Sequence, residues 1–108
     1  MNTNDAQTNL RLSAREIEII RTTARRLLGV HALIRVFGSR ARQDEKGGDI
    51  DLLVETDERQ PNRVASACRL ASELQMQLGD QRIDVLIIAP ATREQPIHQI
   101  ARQTGITL

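Results

Sequence analysis

The stretch Asp-Ile-Asp-Leu-Leu-Val-Glu at positions 49–55 alternates so that Ile50, Leu52 and Val54 share one side of an extended chain while Asp49, Asp51, Leu53 and Glu55 share the other. Side chains at i and i+2 on a strand are neighbours, so Asp49 and Asp51 converge. Such a strand has a face that must be covered and a face that carries paired carboxylates. It therefore belongs to a sheet with helices packed on its apolar side.

The flanking segments supply the helices. Ser13 followed by Glu16 forms a capping box, and Ile17, Ile20, Ala24, Leu27 and Leu28 recur at helical spacing up to Gly29. Positions 31–37, HALIRVF, are short, branched and apolar, and read as a first strand. Gly38 breaks it, Ser39 caps a short helical turn through Arg42, and DEKGG is a turn leading to the second strand. From Pro61 to Gly79 the residues Val64, Ala67, Cys68, Ala71, Leu74 and Leu78 form an apolar helical stripe, which places Cys68 in the core. RIDVLII at 82–88 is a third strand with Asp84, Leu86 and Ile88 opposite Ile83, Val85 and Ile87, and a short helix runs from about Pro96 to Gln103. The order predicts a small mixed α/β (α+β) fold, a sheet of three to four strands with helices packed on one face. With 108 residues the chain is read as one domain at 13–108 behind a loose tail at 1–12.

Composition narrows the functional classes. One cysteine gives no intramolecular disulfide, and no stretch resembles a signal peptide or membrane span, so a cytoplasmic location is expected. A sequence pI of 8.0 falls below the value of about 9 usual for duplex binders, and no direct nucleic-acid binding is expected. Lys46 is the sole lysine, and the remaining basic residues are arginines, which suit bidentate phosphate contacts.

Two adjacent carboxylates repel and are costly to desolvate, so Asp49 and Asp51 call for a cation. Asp84 would supply a third carboxylate if its strand lies alongside. Three hard oxygen donors with positions left open for water and phosphate describe Mg²⁺ better than zinc. Upstream, Gly38 allows close backbone approach to a ligand, Ser39 offers a hydroxyl and nearby amides for phosphate oxygens, and Arg40 and Arg42 would neutralise phosphate or departing pyrophosphate. The combination predicts a metal-bound nucleoside triphosphate, with two ions about 3.5–4 Å apart activating an attacking hydroxyl and stabilising the leaving oxygen. Glu55, further along the same face, is read as a surface charge, and His31 and His98 as surface or capping residues.

The segment FGSRARQDEKGGDIDLLVE, with its Gly-Ser pair and Asp-x-Asp at the head of a strand, together with the acidic residue in RIDVLII, resembles the signature of the DNA polymerase β-like nucleotidyltransferase superfamily. The resemblance runs from about residue 15 to the C-terminus and is greatest to the minimal nucleotidyltransferases (MNT), short bacterial proteins paired with a HEPN-domain partner as antitoxin and toxin. It implies a polymerase β-like palm, ATP as substrate with Mg²⁺, and transfer of AMP to a tyrosine hydroxyl of a HEPN toxin in a type VII-like pair. It also implies that Gly38 and Ser39 hold nucleotide phosphates, that Asp49 and Asp51 ligate metal, and that Asp84 assists deprotonation of the acceptor. Larger relatives carry an acceptor-recognition domain, whereas only residues 89–108 follow the third strand here, so the acceptor is expected on a partner chain or a second copy in a hetero-oligomer or homodimer. The alternatives are an antitoxin that neutralises the toxin by binding alone and a transferase acting on a small molecule of the aminoglycoside type.

Overall fold

The computed structural model describes residues 12–38, 49–79 and 81–108. Helix α1 (Ala14–Leu28) begins where the capping box predicts: the Glu16 amide donates to Ser13 Oγ at 3.1 Å, and the Ser13 amide donates to Glu16 Oε1 at 2.8 Å. It ends at Gly29, whose φ of 117° is open to glycine and unfavourable for other residues. Strand β1 (Leu33–Phe37) and strand β2 (Asp49–Glu55) form an antiparallel pair, with Val36 opposite Leu52 and Phe37 opposite Asp51. Helix α2 (Arg63–Leu78), capped by the Asn62 side chain on the Ala65 amide, then returns the chain so that β3 (Arg82–Ile88) lies parallel to β2. Helix α3 (Pro96–Thr104) leads into a two-residue strand β4 (Ile106–Thr107), which pairs antiparallel with β1 and completes the order β3-β2-β1-β4.

Alternation decides which side of this sheet is dry. Ile34, Val36, Ile50, Leu52 and Val54 are fully buried beneath α1 and α2, where they meet Ile20, Ala24, Leu28, Leu70 and Leu74. Burial of each large aliphatic side chain contributes about 1.5–3 kcal/mol, which makes this layer the principal source of stability. Gln77 donates to Thr23 at 3.0 Å and Arg26 pairs with Glu73, fastening the two helices to each other. Thr56, just beyond β2, donates to the Leu28 carbonyl, tying the end of α1 to the sheet. Leu12, assigned to the tail by its polar surroundings, packs against the same core at 8% exposure.

The stripe on α2 is rotated from its predicted position. Leu70 and Leu74 are buried and Ala67, Ala71 and Leu78 partly so, whereas Val64 is 74% exposed and Cys68 is an exposed free thiol. Cys68 is therefore not a core residue. At 3.6 residues per turn it points about 100° from Ala67, which takes it off the face directed at β3.

Among the described residues, the opposite side of the sheet is covered at one end by α3. Glu55 accepts hydrogen bonds from Arg35 on β1 and from Arg102 on α3, the latter at 2.9 Å, so α3 is moored over the Glu55 end of β2. Leu53 and Ala101 are both completely buried. At the Asp49 end of the same face, Asp49 and Asp84 are exposed.

Candidate active site

Because β2 and β3 are parallel and adjacent, their first residues lie at the same end of the sheet. The register places Asp51 abreast of Asp84 and Asp49 abreast of Arg82. Strands in a sheet are about 4.8 Å apart, so four charged side chains from positions 49, 51, 82 and 84 share one patch. Placing Asp84 here takes the return through α2, which brings β3 alongside and parallel to β2.

Asp51 occupies the middle of the patch, flanked by Phe37 on one side and Asp84 on the other. Its carboxyl is raised above the ordinary carboxylate range by burial first, then by the charges of Asp84 and Asp49, with Arg82 acting in the opposite sense. The carboxylate is thus held in a position that disfavours its own charge, a condition relieved by a cation.

Gly38 leaves β1 immediately beside this group. Its φ is +71°, and a Cβ built on it would lie 2.3 Å from Asp51 Oδ2. Glycine is needed twice over, for the backbone conformation and for the space. Ser39, Arg40 and Arg42, the other predicted phosphate ligands, lie outside the described residues.

Among the described residues the donor set is chemically suited to a hard divalent cation: three carboxylates, with no sulfur or imidazole on this patch. Among the described residues, however, no three His, Cys, Asp or Glu side chains stand close enough together to enclose an ion. On this patch Asp84 Oδ2 lies 3.6 Å from Arg82 Nε.

Two features on this face escaped the sequence reading. Arg82 sits two residues before Asp84, so the alternation that placed the aspartate could equally have placed the arginine beside it. Glu55 is no surface charge: its side chain is 25% exposed and bound by two arginines. His98 does cap, accepting from the Gln95 amide at 2.9 Å, and is buried, while exposed His31 pairs with Asp57. A cavity of 440 Å³ bordered by Arg59, Arg63, Pro90 and Thr92 opens beyond the opposite ends of β2 and β3, away from the aspartates. Among the described residues no helix is long and apolar enough to cross a membrane.

Comparison with known proteins bears on this arrangement. A chain in a solved complex of a tri-AMPylated HEPN toxin with its MNT antitoxin from Shewanella oneidensis superposes with a TM-score of 0.58 at 24% identity, covering 94% of this chain and 70% of that one. A second Shewanella oneidensis crystal structure matches with a TM-score of 0.57 at 18% identity, covering 89% of this chain and 71% of that one. At these identities the likeness is one of fold. No curated protein matches. The family model described as polymerase beta, nucleotidyltransferase matches residues 18–108, a span that takes in α1 from its second turn, α2, α3, the four described strands and the aspartate patch, and the chain belongs to that family.

Proposed function

We propose that this protein is a minimal nucleotidyltransferase antitoxin that transfers AMP from ATP to a tyrosine hydroxyl of a partner HEPN toxin. The observation that carries the reading is the abreast pairing of Asp51 with Asp84 at the open end of the sheet, with Gly38 pressed against Asp51. Membership of the polymerase beta nucleotidyltransferase family supports the class of chemistry, and the structural likeness to a complex holding a tri-AMPylated HEPN toxin supports the acceptor.

In this reading Asp49, Asp51 and Asp84 would hold Mg²⁺, which would offset the charge of the triphosphate and of the leaving oxygen. Gly38, with Ser39, lets the backbone approach the phosphates, and Arg40 and Arg42 take up negative charge as pyrophosphate departs. The acceptor oxygen forms a bond to the α-phosphorus, the bond from that phosphorus to the pyrophosphate oxygen breaks, and the hydroxyl proton passes to the Asp84 carboxylate. Leu53 on β2 and Ala101 on α3 are buried at the other end of the face, so acceptor and nucleotide both enter from the Asp49 side. A partner chain brings the acceptor, and the pair works in the cytoplasm, where ATP and Mg²⁺ are abundant.

Incubation of the protein with labelled ATP, Mg²⁺ and the HEPN protein encoded beside it should label a tyrosine of the HEPN chain. Absence of label on a verified HEPN partner that the protein nevertheless neutralises would replace this reading with a binding-only antitoxin. Drug resistance conferred by the chain expressed alone would instead indicate a small-molecule acceptor.

A further inference from the structure

Three arginines among the described residues reach the carboxylate-bearing face, and they are engaged very differently. Arg35 and Arg102 are committed to Glu55, and Arg102 is also held by Glu94 at 3.0 Å. Arg82 makes only the 3.6 Å approach to Asp84, and its side chain is 72% exposed. It lies abreast of Asp49, at the mouth of the patch rather than over its buried end.

An exposed ion pair at that separation is weak and readily exchanged. Its position is less ordinary. A guanidinium beside three carboxylates balances part of their charge in the free protein, and it does so by occupying the very carboxylate that a closed ligand set requires. Once a cation takes Asp84, Arg82 loses its partner and is left as a fork of donors at the open end of the site, suited to bidentate contact with phosphate oxygens.

We propose that Arg82 is a nucleotide-binding residue that exchanges partners, pairing with Asp84 in the free protein and with the phosphates of the bound nucleotide. The inference rests on the nucleotidyltransferase reading of the aspartates and adds to it a residue outside the Gly-Ser and Asp-x-Asp motifs. It makes a prediction of opposite sign for the two ligands: Arg82 competes with a bare cation and cooperates with a cation carrying a triphosphate.

The test measures Mn²⁺ binding by paramagnetic resonance and Mg²⁺·ATP binding by calorimetry for wild type, Arg82→Gln and Arg82→Lys, with no acceptor present. Arg82→Gln is expected to bind Mn²⁺ alone about two- to fivefold more tightly, the scale of an exposed ion pair. It should bind Mg²⁺·ATP roughly tenfold more weakly, through loss of charged hydrogen bonds. Arg82→Lys, which keeps the charge without the fork, should retain wild-type Mn²⁺ affinity and recover only part of the ATP affinity. If the glutamine variant weakens both ligands together, or changes neither while wild type binds Mg²⁺·ATP, the exchange is overturned and the aspartate site stands. If wild type binds no Mg²⁺·ATP, the nucleotidyltransferase reading falls and takes this inference with it.

Discussion

Asp51 on β2 and Asp84 on β3 are register partners on adjacent parallel strands, two carboxylates placed side by side where a sheet would ordinarily carry a Leu-Val or Thr-Thr pair. The placement opposes folding and favours ligand binding, and most of the measurable behaviour of the protein should follow from that conflict.

Replacing Asp51 by Asn should stabilise the ligand-free protein at neutral pH. Burial and the neighbouring carboxylates raise the Asp51 carboxyl above 3.8, so the folded state holds its proton more tightly than the unfolded chain. The stability this contributes is complete below 3.8 and is lost as pH rises through the raised value. Thermal melts from pH 3 upward should therefore show wild type and variant converging in acid and separating toward pH 7, with the variant higher. Saturating Mg²⁺·ATP should reverse the order by stabilising wild type alone.

Gly38 tests the site from the backbone side. Ala at a φ of +71° costs about 1–2 kcal/mol in conformation alone, and its methyl would displace the Asp51 carboxylate. Urea unfolding of Gly38→Ala should show that loss, and the variant should also lose its thermal shift with Mg²⁺·ATP. A variant of normal affinity would show that the contact with Asp51 has no bearing on binding.

The opposite pH behaviour is expected at Glu55. Burial would raise this carboxyl, but hydrogen bonds from Arg102 and Arg35 outweigh it and hold the group below 4.5. Its contribution is present above 4.5 and disappears as pH falls through the lowered value. Glu55→Gln should thus be destabilised by about 1–3 kcal/mol at pH 7, the worth of hydrogen bonds to a charged group, and should converge with wild type in acid. Because Glu55 lies at the covered end of β2, Mg²⁺·ATP binding by the folded variant should be unchanged.

In cells, the double change Asp49→Ala with Asp51→Ala separates catalysis from occlusion. Loss of toxin neutralisation by a variant that is folded and still co-purifies with the HEPN chain is the outcome expected of an enzyme. Retained neutralisation would assign the antitoxin role to binding alone.

Much of this was legible from local pattern. Ser13 and Glu16 marked the start of α1 because a capping box is a contact between residues three apart, and the alternation in β2 separated Ile50, Leu52 and Val54 from the carboxylates. What was not legible depended on residues brought together from afar. The adjacency of Asp51 and Asp84 required the parallel pairing of β3 with β2, which no local period encodes. Cys68 was misplaced because a stripe of small apolar residues defines the direction of a helix face only to within a turn, and Leu70, one position off the apparent stripe, proved central. Strand β4 is two residues long, too short for any period to register. Glu55 looked like its acidic neighbours until α3 brought Arg102 over it.

The alternation along β2 also bears on how the chain finds its fold. A slip of one residue in pairing would turn Asp49, Asp51 and Glu55 beneath the helices and put Leu52 and Val54 into water. The carboxylates proposed to hold the nucleotide thereby act during folding as alignment marks: misregistered chains are rejected by the same charges that give the finished protein its chemistry, and neutralising substitutions there should be looked at for lost fidelity of assembly as well as lost activity.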